Sequence, residues 1–331
     1  MRVVHGTRGF CTINNEAVMI EYLRKVKKGK LRVAVVDTDA HHADGTQDIY
    51  YNDPDVLHIS IHQDGRTLYP GSGFVDELGG PAAYGLTLNV PLPPGSGDPE
   101  LLYVIEHLVL PVLRDFQPDL IINAAGQDNH FTDPLTNMQV TAQGYARLTE
   151  LLNPDIVVLE GGYSIEGALP YVNVGIILAL AGLDYAGVVE PERSGVTAKP
   201  RPVREEVVRT VAHLQAVWER RQEQDLDRIF GEGEYFHRQR YIYYDTDEIT
   251  EVQTEVIKRC PTCSGYRRVY SRAEHYNGRI SKIGAVLLPW RACPRCRRAA
   301  EEAYAQMQAE EGLDHVYLQD PERESEPVSG T

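Results

Sequence analysis

Residues 31–46 read LRVAVVDTDAHHADGT, and the fold turns on how that stretch divides. Its first six residues are nearly all apolar and give way at once to charge. A strand of a parallel sheet has this composition when both of its faces are covered. Similar runs recur as LHISI at 57–61, LIINA at 120–124 and IVVL at 156–159. Helical stretches are expected over 13–28, 99–116, 141–152 and 165–183, the first with Ile13, Ala17, Ile20 and Val26 on one side. Strand alternating with helix predicts an α/β fold, a parallel sheet with helices on both faces. Residues 172–183, the most apolar stretch, have the composition of a buried helix.

Each predicted strand is followed by a polar cluster: DTDAHHADG, HQDG, GQDNHFTDP and EGGY in turn. Sheets of this kind bind ligands beyond the carboxyl ends of their strands, so the four clusters converge on one edge. Asp39 and His41 stand two residues apart, and in extended chain both side chains point the same way. A carboxylate with an imidazole suits Zn²⁺ with an open coordination position. Asp133, directly before Pro134 in the third cluster, is the expected third ligand. An aspartate or histidine at a strand end more commonly caps a helix; four clusters on one edge tip the balance toward a metal.

The chain has 331 residues, a length for one large α/β unit or for two units. Hydrophobic residues at 42% and charged residues at 24% exclude wholesale disorder. The 48 acidic residues against 33 basic ones give −15, which opposes nucleic-acid binding by the whole surface. No run reaches the ~20 apolar residues of a membrane span, and no apolar signal-peptide core opens the chain. With four of the five cysteines in CxxC pairs, the composition fits a reduced, cytoplasmic protein. The charge is uneven. From Lys258 to Arg298 eleven Lys or Arg face one acid, so that segment carries +10 and the remainder −25. Two parts with different work are implied.

Together the segments GFCTINN (9–15), DTDAHHADGT (37–46), SIHQ (60–63), LYPGSG (68–73), GQDNHFTDPL (126–135) and LEGGY (159–163) resemble the histone-deacetylase-like enzymes. That family has the arginase–deacetylase fold and includes acetylpolyamine amidohydrolases and acetoin-utilisation proteins. The resemblance covers residues 1–190, the expected catalytic domain. It implies that Asp39, His41 and Asp133 bind the catalytic Zn²⁺ and that Tyr163 donates to the substrate carbonyl and the tetrahedral oxyanion. Phe10 and Tyr69 match the aromatic walls of an acyl-lysine channel that Gly9 and Gly162 also line. Asp37 and Asp44 match the carboxylates that orient two catalytic histidines. Asp37, Asp39 and His41, with Ser60 and Ile61, resemble an inner monovalent-cation site, for K⁺. The activity implied is hydrolysis of an N-acetylated amine by a metal-activated water. The substrate would be an acetyl-lysine, an acetylpolyamine or a small metabolite.

In that family an adjacent histidine pair precedes the GFC motif, and here MRVVHGTR stands before it. The first third of the family's catalytic domain likewise has no counterpart. One expectation is that Met1 is internal to a longer reading frame, because Asp37 and Asp44 keep the places of the pair's partners and unpartnered buried carboxylates are costly. Activity would then belong to the extended form alone. The other is a non-catalytic metal-binding remnant. Arginase-type chemistry on two ions is disfavoured, since Ala43 and the Asp128-Asn129-His130 step each lack a carboxylate that a second ion needs.

Cys260-Pro-Thr-Cys263 and Cys293-Pro-Arg-Cys296, separated by 29 residues, predict one tetrahedral structural Zn²⁺. Glycines 278 and 284 among apolar residues fit a small hairpin between them. The expected layout is a charged helical linker over 191–255, a zinc-ribbon-like module over 256–300, and a helix with a disordered acidic tail over 301–331. The basic, aromatic-laced ribbon would either contact nucleic acid or a protein partner, making the chain an adaptor, or dock on its own acidic body.

Overall fold

The computed structural model describes residues 8–27, 30–191 and 201–323. Residues 192–200 of the expected linker over 191–255, and the acidic tail beyond 323, lie outside them. Strands β1 (Val33–Asp37), β2 (Val56–Gln63), β3 (Thr87–Leu92), β4 (Leu120–Ala125) and β5 (Ile156–Leu159) form one parallel sheet in the order β3-β2-β1-β4-β5. All of β1 and β2 is buried. Alternate residues of β1 serve different cores. Ala34 and Val36 join Leu57, Ile59, Leu88 and Val90 on one face, while Val33 and Val35 join Ala17, Ile20, Val56 and Ile122 on the other. This two-sided burial is why the run carries no polar alternation.

Strand β3 lies outside the sequence expectation, because Asn89 and Pro91 interrupt its apolar run. Pro91 is tolerated because β3 is an edge strand, where one side of the backbone needs no ladder donor. Asn89 is buried and donates to Gln47 Oε1 at 2.9 Å.

Helices α1 (Asn15–Lys27), α2 (Asp44–Tyr50), α3 (Asp98–Val104), a π-helical turn (Ile105–Val109), α4 (Leu110–Phe116), α5 (Ala142–Leu152) and α6 (Leu169–Leu180) accompany the sheet. Asn14 Oδ1 accepts from the Ala17 amide at 2.7 Å and starts α1. Thr141 does the same for α5 through the Gly144 amide at 3.1 Å. Helix α6 is shorter than the 165–183 expectation and only half-buried. Val172, Gly175 and Ile176 face inward, whereas Val174, Ile177 and Leu180 are exposed, as are Leu159 and Ile165 just before the helix. Helix α7 (Arg201–Arg220) places Val207, Val211, Leu214 and Trp218, at spacings of four, three and four, in the same core as β3 and α3.

After the short α8 (Leu226–Phe230), strands β6 (Tyr235–Tyr244), β7 (Ile249–Lys258), β8 (Arg267–Glu274) and β9 (Ile280–Leu287) form an antiparallel meander. Helix α9 (Pro294–Gln308) follows, and β10 (His315–Gln319) returns parallel to β9. The hairpin expected around Gly278 is the β8–β9 connection. The sheet also takes in the Tyr- and acid-rich stretch 232–255, which shows no period in sequence. Tyr244, Ile249, Val269, Ala273 and Ala285 form its core.

This unit docks on the α/β unit through charge. Asp48 of α2 pairs with Arg240, lies 3.5 Å from Arg238 Nη2, and accepts from Arg267 Nη1 at its main-chain oxygen at 3.1 Å. Burial would raise the Asp48 pKa, but Arg240, Arg238 and Arg267 hold it below the usual carboxylate value. Asn52 Nδ2 donates to the Ser264 carbonyl at 2.9 Å, and Trp290 Nε1 donates to Glu21. Other cations of the basic segment are also met within the chain: Lys258 by Glu234, Arg259 by Asp227, Arg295 by Glu234, and Arg297 by Asp320 and Glu322. These acids stand outside the α/β unit, next to or within the C-terminal unit itself.

Candidate active site

Beyond the carboxyl end of β1 the chain brings Asp39, His41 and Asp128 together, with one donor atom of each within 4.8 Å of the others. His41 Nδ1 lies 2.8 Å from Asp128 Oδ2 and 3.1 Å from Asp39 Oδ1. Main-chain donors hold both carboxylates: Asp128 Oδ1 accepts from Ala40 N at 2.8 Å and Asp39 Oδ2 from Gly161 N at 2.9 Å. Space for this comes from glycine. A Cβ at Gly126 would stand 2.3 Å from Asp39 Oδ2, and one at Gly161 would stand 2.7 Å from Asp128 Oδ2.

The electrostatics are those of crowded acids around one base. Burial, then Asp39, raises Asp128 to about 7. Burial and the same neighbour push Asp37 well above its ordinary value. Burial would lower His41, yet the bonds to Asp128 and Asp39 lift it to about 10. Such a set has affinity for positive charge, and two carboxylates with an imidazole are borderline-hard donors that fit Zn²⁺.

The expected residues are placed as follows. Asp39 and His41 meet. Asp133 is buried on the same loop as Asp128 but is not one of the convergent three. Its oxygens accept from Leu135 N at 2.9 Å and Tyr163 N at 2.8 Å. Asp128 stood in the sequence reading only as part of an incomplete two-metal motif, although its carboxylate five residues before Asp133 was a visible signal. Burial, then the charges of Asp39 and Asp128, raises the Tyr163 phenol, which therefore stays protonated. Gly162 before it, at φ 153°, packs where a Cβ would come 2.9 Å from Gln127 and Leu169 side chains.

Phe10 is 73% exposed, and its ring centroid is 6.0 Å from that of Tyr163. Gly9 (φ 55°) faces the Tyr69 ring, with 3.6 Å from an added Cβ to Cε1. Arg8 Nε donates to Tyr69 Oη at 3.1 Å and the same guanidinium pairs with Asp44, so Asp44 is tied to this rim. Tyr69 Oη donates to Asp245 Oδ1 at 3.0 Å, and the Gly9 amide donates to the same oxygen at 2.9 Å. Asp245 sits in the β6–β7 turn, and no local sequence pattern pointed to it. Asp37 and Ser60 are register partners on β1 and β2, with Ile61 next along β2. Ser60 Oγ lies 2.9 Å from His62 Nδ1.

Cys260, Cys263, Cys293 and Cys296 form a second convergent group, with 3.8 Å between the sulfurs of Cys260 and Cys293. Cys263 Sγ accepts from Gly265 N and Cys293 Sγ from Cys296 N, both at 3.4 Å. Gly265, at φ 77°, lets the loop pass so close to the Lys258 carbonyl that no Cβ would fit. Four thiols in a closed cluster, with amides aimed at sulfur, fit a structural Zn²⁺.

Residues 5–173 match the histone deacetylase domain family. A probable deacetylase of Archaeoglobus fulgidus is 49% identical over 193 residues, 56% of this chain and 53% of that protein. The acetoin utilization protein AcuC of Bacillus subtilis is 37% identical over 201 residues, 57% of this chain and 51% of that protein. Among solved structures, the HDA15 HD domain superposes with a TM-score of 0.55 at 32% identity, covering 65% of this chain and 60% of that one. The histone deacetylase Clr3 gives a TM-score of 0.54 at 28% identity, covering 65% and 36%. The chain thus spans about half the length of the curated relatives it matches.

Proposed function

Because this chain belongs to the histone deacetylase domain family, we propose that it is a zinc-dependent amidohydrolase removing an acetyl group from an N-acetylated amine. Acetyl-lysine, an acetylpolyamine or a small acetylated metabolite is the substrate class. The observation that carries the reading is the convergence of Asp39, His41 and acid side chains beside a protonated Tyr163, with the Phe10 ring next to it.

Asp39, His41 and Asp133 hold the ion in this reading. The tight grouping of Asp128 with the first two favours a second version in which Asp128 is the third ligand. When bound, Zn²⁺ supplies Lewis acidity toward the amide carbonyl and lowers the pKa of the attacking water. Tyr163 donates its phenolic proton in a hydrogen bond to the oxygen on which negative charge develops. Phe10, Tyr69, Gly9 and Gly162 confine the acyl-amine chain. By the family resemblance Asp37 and Asp44 are the carboxylates that would orient two catalytic histidines, and Asp37, Asp39, His41, Ser60 and Ile61 would offer oxygens to a K⁺ ion. The four cysteines hold a structural Zn²⁺, which a reduced, cytoplasmic setting keeps available.

Acetate release from acetyl-lysine peptide and acetylpolyamine, measured with zinc on this chain beside a form extended upstream to a histidine pair, tests the reading, and activity is expected in the extended form. Tyr163→Phe is expected to lose about 10²–10³-fold in kcat, the scale of one oxyanion donor. Equal rates with and without that substitution, or two tightly bound Mn²⁺ per chain, would overturn it.

A further inference from the structure

The C-terminal sheet reaches the rim of the active site at one atom. Asp245 Oδ1 accepts the Gly9 amide at 2.9 Å and the Tyr69 hydroxyl at 3.0 Å. Those donors come from two loops of the α/β unit, the one before α1 and the one after β2, and the acceptor comes from neither. The turn that carries Asp245 is short and firmly based. Tyr244 and Ile249 are the last register pair of β6 and β7, both are buried, and Tyr244 Oη donates to the buried Glu251. The contact also closes a longer chain of bonds, since Arg8 links Tyr69 to Asp44 at the start of α2. An acceptor fixed by one unit thus clamps two walls of the other.

We propose that Asp245 is a positioning residue for the channel mouth, so that the C-terminal unit sets the spacing of the Gly9 and Tyr69 walls. The inference rests on the reading of those walls as a substrate channel. An acyl chain entering between Phe10, Gly9 and Tyr69 gains dispersion contact only if the walls stand at its width. Without the clamp, the Gly9 amide and the Tyr69 hydroxyl turn to water and the mouth loosens. The effect belongs to binding rather than to the chemical step, because among the described residues the Asp245 carboxylate bonds Gly9 and Tyr69 and neither Tyr163 nor the acid cluster.

The test uses the full chain loaded with zinc and three proteins: wild type, Asp245→Ala and Asp245→Asn. Asparagine keeps an acceptor oxygen in the same place and drops the charge. A dye-labelled linear alkyl hydroxamate reports affinity, and amide hydrogen exchange of residues 8–11 reports the clamp without reference to activity. Asp245→Ala is expected to bind the probe about tenfold more weakly, the scale of one or two lost hydrogen bonds, and to exchange the Gly9 amide faster. Asp245→Asn is expected to recover the slow exchange and most of the affinity. With an acetylated peptide, Asp245→Ala is expected to raise KM and spare kcat. Unchanged affinity and exchange in Asp245→Ala would overturn the proposal. So would an Asp245→Asn as weak as Asp245→Ala, which would assign the effect to charge. If the wild type neither binds the probe nor releases acetate, the channel reading fails, while Gly9 exchange still decides whether the clamp exists.

Discussion

His58 is 1% exposed on β2, and among the described residues neither of its ring nitrogens has a hydrogen-bond partner. Burial, then the neighbouring His42, lowers its pKa to about 3; burial and His42 do the same to His62. Both are bases held neutral in the fold. The unfolded chain protonates them below about 6.5 and the folded chain does not until about 3, so stability is full above pH 6.5 and falls as pH drops through that window. His58→Leu, of similar volume and without polar atoms, is expected to stabilise by about 1–3 kcal/mol and to move the acid midpoint down in a circular-dichroism titration. The third-ligand question also belongs at this scale. Metal content of Asp128→Asn and Asp133→Asn separates the two versions, and the family resemblance expects the larger loss from Asp133→Asn. Asp39 and His41 were legible because they share one extended stretch. Asp245 was not, since its partners lie 236 and 176 positions away and only the folded chain joins them.

At the scale of elements, β1 and β2 were legible because both faces are buried, so packing and composition agree, and β5 was legible from its apolar run although it is only half-buried. β3 was missed because an edge position permits Pro91, and the length of α6 was overestimated because a uniformly apolar run marks neither its ends nor its inner side. Helix α7 shows the converse. Its charged residues dominate the composition, yet Val207, Val211, Leu214 and Trp218 anchor it in the main core. Trp218 Nε1 donates to Asp115 at 3.0 Å, and Arg221 stacks on the indole at 3.5 Å from its centroid. Trp218→Ala is expected to cost about 3–5 kcal/mol, read as a lower midpoint in urea.

Across the whole molecule, the two units share the Asp48–arginine junction and the Asp245 contact, and one of them is closed by four cysteines. If those cysteines hold zinc as proposed, a chelator, or Cys296→Ser, is expected to unfold the β6–β10 sheet and to speed exchange at Gly9 as well, because the clamp loses its base. The charge asymmetry was legible from the first count of Lys and Arg, and Lys258, Arg259, Arg267, Arg295 and Arg297 of the basic segment pair with carboxylates elsewhere in the chain.

The sheet's other end has a different consequence. β5 is an edge strand with Leu159 exposed, Ile165 is exposed in the loop after it, and Ile177 and Leu180 are exposed on α6. An open ladder and exposed apolar side chains each favour self-association, while a net charge of −15 keeps copies apart. The balance is set by ionic strength, because added salt shortens the reach of that repulsion from about 30 Å at 0.01 M to about 3 Å at 1 M. Light scattering is therefore expected to grow with salt at fixed protein concentration, and Ile177→Lys to suppress the growth.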